Sequence, residues 1–159
     1  MKNNNHILRK KGFSFAGSMA LTDGVVKIDD WTDAAKESSP GIYCWVLLDQ
    51  INNVEEVLYI GKYGKNLKKR FGEHIRGFRG GSESGIKKNN FLIKKLKETK
   101  TKIEVWHIKS HTFKKKYTSA LGQEKHGRFS TEGHDEKDMI EYVTRFQQFA
   151  PKLNGTKGG

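Results

Sequence analysis

The sequence predicts an α+β fold: a small three-stranded antiparallel sheet flanked by helices. Three observations carry this expectation. Two apolar runs of strand length, "GIYCWVLL" from Gly41 and "VEEVLYIG" from Val54, stand on either side of the turn-forming "DQINN". Directly after Gly61 the apolar spacing changes from a strand period to recurrences every three or four residues. Strand character then returns in "KIEVWHIKS", and a final helical pattern follows.

Residues 1–39 start polar and basic and continue through "FSFAGSMALTDGVVKIDDW", whose short, Gly-punctuated apolar pieces read as one or two short strands or turns. They form an N-terminal extension, expected to contact nucleic acid or to dimerise. Residues 40–159 form the principal domain. Pro40 biases the residue before it toward extended backbone, so "AAKESSP" leads into the first clear strand. After the second strand, Leu67, Phe71, Ile75 and Phe78 mark a helix capped by Asn66. The glycines and serines of "RGGSESGIKKNN" break that pattern, and a second helix is expected over "NFLIKKLKET". The stretch "HTFKKKYTSALGQEKHGRFSTEGH" is basic and reads as a long functional loop. The last helix is expected from about Asp135 to Phe149, with Met139, Val143, Phe146 and Ala150 as its apolar face and Pro151 as its stop.

The charge balance bounds the partners. Lys and Arg outnumber Asp and Glu by 30 to 18 in 159 residues, a formal charge of +12, so the summed field attracts polyanions such as nucleic acid. Neither a span of about 18 apolar residues nor an apolar leader is visible, which predicts a soluble, cytoplasmic protein without a membrane partner. The single cysteine, Cys44, lies in an apolar run and reads as core.

The ordered set Gly41-Ile42-Tyr43, Tyr59-Ile60-Gly61, Arg70, His74 and Pro151-x-x-Asn154 resembles the GIY-YIG nuclease family. The resemblance spans roughly residues 40–154. It makes residues 40–159 a GIY-YIG-like nuclease domain with basic loop insertions, in a longer-than-minimal spacing between the two tripeptides. What it implies is a DNA endonuclease that hydrolyses phosphodiester bonds with one divalent metal ion, expected to be Mg²⁺. The compact chain is closer to restriction, phage or mobile-element nucleases than to enzymes with appended domains. A possible homodimer would place two such sites on one duplex.

The roles follow the resemblance and the chemistry together. Neighbouring strands place Tyr43 and Tyr59 side by side, with Tyr59 preferred as general base and Tyr43 orienting water or phosphate. A phenol is a poor base at neutral pH unless cations lie nearby. Arg70 is expected to grip a phosphate oxygen, His74 to share its helix face, and Lys62 to add a cation at the sheet edge. Gly41 and Gly61 permit close backbone approach. Asn154 is expected to shape the site through side-chain hydrogen bonds. The metal ligand has two candidates. Glu141 stands ten residues before Pro151, close to the family's separation, and is preferred; Glu136 stands nearer the core side of the helix by its 100° phase.

Phosphate contacts are expected from Lys65, Lys68, Lys69 and Arg76 on and before the first clear helix, and from Arg79, Lys87 and Lys88 after it. Lys114, Lys115, Lys116 and Arg128 supply a second basic group, as a phosphate-tracking or groove-entering arm. Two other readings fit the same residues: a structure-specific repair nuclease acting on branched DNA, and a nucleic-acid-binding module on an inactive nuclease scaffold. Nothing here distinguishes a 2′-hydroxyl, so RNA also fits.

Overall fold

The computed structural model describes residues 7–98 and 101–155. In chain order the elements are α1 (Ile7–Lys10), β1 (Ser14–Thr22), β2 (Val25–Lys27), β3 (Gly41–Leu48), β4 (Val54–Tyr63), α2 (Leu67–Arg76), α3 (Glu83–Lys97), β5 (Lys102–Lys109), β6 (Thr112–Thr118), β7 (Glu124–Ser130) and α4 (Glu132–Gln147). Every residue of β3 is buried, as an unbroken apolar run requires of a strand covered on both faces. Its odd positions Tyr43, Trp45 and Leu47 pack with Leu67, Phe71, Phe78 and Leu92 under α2 and α3. Its even positions Ile42, Cys44, Val46 and Leu48 pack with Leu8, Met139 and Val143 under α1 and α4. Full burial of a side chain such as Leu92 contributes about 2 kcal/mol of transfer free energy.

The expected three-stranded sheet is corrected to five strands in the order β2-β1-β5-β3-β4, with antiparallel neighbours. The strands β3, β4 and β5 are its centre and one edge. The addition comes from residues 14–27, where β1 pairs along β5 and covers what would be an exposed row of backbone donors and acceptors. A register shift between Phe15 and Gly17 interrupts that pairing, which scrambles the alternation by which β1 could be read.

Helix α2 begins where expected: the Asn66 side chain accepts from Lys69 N at 2.8 Å. Helix α3 begins earlier than expected, capped by Ser82, whose Oγ accepts from Gly85 N at 3.0 Å. The stretch read as a break is therefore its first turns. Gly85 is there for contact: a Cβ on it would stand 2.5 Å from the Gly77 carbonyl, so α3 leaves the end of α2 at backbone distance.

Two further expectations are corrected. The long basic loop is a two-stranded ribbon, β6 paired with β7 and with no strand of the main sheet. It has no core face, so its sequence carries no apolar run. Helix α4 starts at Glu132, and Gln148 ends it in the left-handed region at φ 70°. Met139 and Val143 are buried as expected, but Phe146 and Ala150 are exposed, the first stacked on Tyr142. No helix among the described residues is long and apolar enough to cross a membrane.

Candidate active site

The pairing of β3 with β4 sets Tyr43 opposite Gly61 and Trp45 opposite Tyr59. Residues that face each other across antiparallel strands share a sheet face, so both phenols point toward α2, ring centroids 5.9 Å apart. Gly61 leaves the space they occupy. A Cβ on it would stand 2.6 Å from Tyr43 Cζ and Oη and 2.8 Å from Tyr59 Cε1. Gly41 does the same for a third phenol, since its Cβ would overlap the Tyr63 hydroxyl and the Ile108 carbonyl.

Helix α2 supplies the other half of the constellation. Arg70 and His74 are four residues apart and face the sheet together. His74 is buried with its Nε2 hydrogen-bonded to Tyr43 Oη, its ring 4.8 Å from Trp45 and edge-on to Tyr59 at 5.4 Å. Burial first, then the charges of Lys88 and Arg70, push its pKa down to about 3. The imidazole is thus neutral at physiological pH and shares one proton position with the Tyr43 hydroxyl.

Burial also raises Tyr43 well above the ordinary phenol value, with the neighbouring Tyr59 adding to the rise and Arg70 opposing it. Tyr43 stays protonated and serves as a donor. Tyr59 is the more accessible of the pair. Burial raises it too, while Tyr43 and Arg70 pull it down and the Glu136 carboxylate pushes it up. Arg70 loses some preference for charge to burial, but Glu73 and the two phenols outweigh that and hold its guanidinium above its already high value. Lys88, from α3, lies with Nζ 4.4 Å over the Tyr59 ring, its pKa lowered by burial and by Arg70.

A cleft of about 490 Å³ opens at the C-terminal end of β4, lined by Lys62, Gly64, Lys65, Asn66, Lys69, Arg70, Glu73 and Glu132, with Tyr63 at its wall. Lys62 pairs with Ile42 and so points to the α4 face, where its Nζ comes within 3.7 Å of a Cβ placed on Gly133. Helix α4 presents Glu132 and Glu136 on the stripe that continues into Met139 and Val143. Burial raises the Glu136 carboxyl, and Lys62 and Arg70, two of the cations that line the cleft, oppose that rise. Glu132 Oε2 and Arg70 Nε are buried without a hydrogen-bond partner among the described residues.

The structure therefore brings together Tyr43, Tyr59, Arg70 and His74, and sets Lys62 across from them. It places Glu141 elsewhere: two residues from Met139, hence about 200° around the helix, exposed and ion-paired with Arg145. Asn154 sits behind the YIG tripeptide. Its Oδ1 accepts from Ile60 N at 2.9 Å and its Nδ2 donates to Ile60 O at 2.8 Å, as a neighbouring strand would. Among the expected phosphate contacts, Lys65 and Lys69 line the cleft and Lys68, Arg76, Arg79 and Lys87 are exposed nearby on α2, α3 and their link. Lys114, Lys115, Lys116 and Arg128 ride on the ribbon. Sequence reading gave no role to Glu132 or Tyr63 and placed Lys88 only among general phosphate contacts. The i, i+4 spacing of Glu132 and Glu136 in phase with Met139 is the signal that marks the pair.

Among solved structures the chain is similar to a point mutant of bacteriophage T4 EndoII, with TM-score 0.62 and 22% identity over 87% of this chain and 92% of that one. That likeness shows the fold. It is also similar to restriction endonuclease HPY188I in complex with product DNA, with TM-score 0.46 and 18% identity over 89% of this chain and 79% of that one. No family model and no curated protein matches the sequence.

Proposed function

We propose that the chain is a GIY-YIG-type endonuclease that hydrolyses DNA phosphodiester bonds with one divalent cation, of the compact restriction, phage or mobile-element kind. The observation that carries this reading is the meeting of the buried Tyr43, Tyr59 and His74 with Arg70, which itself lines an open basic cleft together with Lys62 and Glu132. The formal charge of +12 and the fold shared with phage EndoII support it.

The donor set fits a hard cation. Among the described residues no three His, Cys, Asp or Glu side chains cluster. The cleft instead offers the unpartnered Oε2 of Glu132, with Glu136 one turn further along α4, the sparse carboxylate ligation under which Mg²⁺ keeps water and phosphate oxygens in its shell. Glu136 takes the ligand role in place of Glu141, with Glu132 beside it. A divalent cation bound there supplies positive charge to the phosphate and turns the Glu136 field from one that raises Tyr59 into one that lowers it. Tyr59, as phenolate, accepts a proton from the attacking water. Tyr43 stays protonated, held by its hydrogen bond with His74, and forms the fixed wall beside Tyr59. Arg70 and Lys62 hold the nonbridging phosphate oxygens as negative charge builds on them. One such site cuts one strand, so a double-strand break takes two copies or two sequential nicks.

Incubating supercoiled plasmid and a branched junction with the protein and Mg²⁺ tests the reading. We expect cutting that EDTA abolishes, that Tyr59→Phe and Glu136→Gln each reduce by about 10² or more, and that Glu141→Gln leaves within about threefold. Binding without cutting on both substrates would instead make the chain a nucleic-acid-binding module.

A further inference from the structure

The β6–β7 ribbon is the part of the molecule that neither the core nor the candidate active site employs. All of β6 is exposed, and β7 is nearly so. Strand alternation gives the ribbon two unlike faces. One carries Phe113, Tyr117 and Phe129 together with Lys115 and Lys125, with Phe113 stacked on Phe129 at 5.8 Å and Tyr117 edge-on to Phe129 at 5.8 Å. Gly127 makes room for this row: a Cβ there would stand 2.8 Å from Phe129 and 2.9 Å from Tyr117. Cross-strand aromatic pairs of this kind are what an isolated two-stranded ribbon needs to hold its shape, so the aromatic face is accounted for by the ribbon itself.

The opposite face carries Lys114, Lys116, His126 and Arg128, in register as Lys114 with Arg128 and Lys116 with His126. Lys116 is ion-paired with Glu124 at 2.8 Å. Lys114 and Arg128 have no acidic partner among the described residues. Like charges set directly opposite each other destabilise a strand pair, and here that cost is kept on a face that no packing demands. The base of the ribbon is tied to the first turn of α4. Asp135 Oδ2 accepts from Ser110 Oγ at 2.6 Å and from Thr131 Oγ1 at 2.7 Å, and Thr131 N donates to His111 O at 3.0 Å. The same turn carries Glu132 and Glu136.

We propose that the ribbon lays its Lys114, His126 and Arg128 face into the major groove of the duplex being cut, at a distance from the scissile phosphate that the Asp135 clamp fixes. The inference rests on the DNA-endonuclease reading. The fit is dimensional as well as electrostatic. Seven residues of strand span about 24 Å, and a major groove about 12 Å wide admits a two-stranded ribbon. Arg and Lys are the side chains that pair with guanine edges there, and on this face Lys114 and Arg128 stand directly opposite each other with no acidic partner among the described residues.

Gel-shift binding to a mixed-sequence duplex of about three helical turns, in EDTA to prevent cutting, provides the test, with methyl green as a major-groove competitor and distamycin as a minor-groove competitor. The expected result is that methyl green, and not distamycin, displaces the wild-type protein. Lys114→Ala with Arg128→Ala should bind about tenfold or more weakly and lose its sensitivity to methyl green. Phe129→Ala, which removes no charge but unpacks the aromatic row, should lose that sensitivity as well, with the far-ultraviolet spectrum of the main fold retained. Displacement of wild type by distamycin alone, or by neither competitor, overturns the groove assignment, as does a double variant indistinguishable from wild type. Failure of wild type to bind duplex at all overturns the endonuclease reading itself.

Discussion

The Tyr43 hydroxyl and His74 Nε2 form a hydrogen bond between β3 and α2, both groups buried and both electrically neutral. Protonating His74 would bury a positive charge beside a phenol that cannot ionise to compensate it. The folded pKa of His74, about 3, lies below its unfolded value. Between those two values the unfolded chain holds more protons than the folded one, so this group's contribution is complete above the unfolded value and is lost as pH falls toward 3. The expected slope from His74 alone reaches about 1.4 kcal/mol per pH unit. Urea midpoints from pH 7 to pH 4 for wild type and His74→Phe measure it. A variant with the same acid sensitivity as wild type would show that His74 does not govern it.

Glu136 and Tyr59 are coupled through space, the carboxylate raising the phenol. Removing that charge in the metal-free protein should make one tyrosine ionise at lower pH. Ultraviolet phenolate titration of Glu136→Gln against Glu141→Gln, each with and without Tyr59→Phe, isolates the group. The shift belongs only to Glu136→Gln and disappears with Tyr59→Phe; an equal shift from Glu141→Gln would contradict the placement of the two carboxylates on opposite sides of α4.

Asn154 acts as a one-residue strand on the edge of β4. Asn154→Ala leaves both backbone groups of Ile60 without their partner and is expected to cost about 1–3 kcal/mol. Asn154→Asp keeps the acceptor, loses the donor and should fall between. Equilibrium denaturation gives both numbers. Lost plasmid cutting with unchanged stability would instead assign Asn154 to the reaction itself.

The elements that sequence reading places correctly are those whose local pattern and tertiary role agree. β3 is apolar because both its faces are covered, and Asn66 both looks like a cap and acts as one. The signal fails where a tertiary contact overrides local preference. Gly85 reads as a helix breaker, yet it lies in the first turn of α3, where the Gly77 backbone leaves no room for a side chain. The register shift after Phe15 breaks the alternation of β1, so residues 14–27 read as short strands or turns without showing that they join the main sheet, and the ribbon has no core to pattern it. In the candidate site the tyrosines, Arg70 and His74 are legible as an ordered set. The two carboxylate candidates rest on different signals: separation to Pro151 measures distance along the chain and favours Glu141, whereas helical phase measures direction and favours Glu136, the one whose charge reaches Lys62 and Arg70.

Gly61 sets the distance between the two phenols, because only hydrogen fits where a side chain would stand. A methyl group there meets Tyr43 Cζ and Oη at 2.6 Å and Tyr59 Cε1 at 2.8 Å, closer than van der Waals contact allows. Neither ring can yield freely, because Tyr43 is tied to His74 and packed on Trp45, and Tyr59 lies 4.6 Å from Trp45 and under Lys88. Gly61→Ala should therefore cost about 1–3 kcal/mol in overpacking and shift Tyr59 enough to slow cutting by about 10². Gly72→Ala is the control: on α2, with nothing within 4 Å of its Cβ, it should raise stability by up to about 1 kcal/mol. Denaturant midpoints and plasmid-cutting rates on the two variants decide the matter. If Gly61→Ala cuts at the wild-type rate, the spacing of Tyr43 and Tyr59 is not what the reaction depends on.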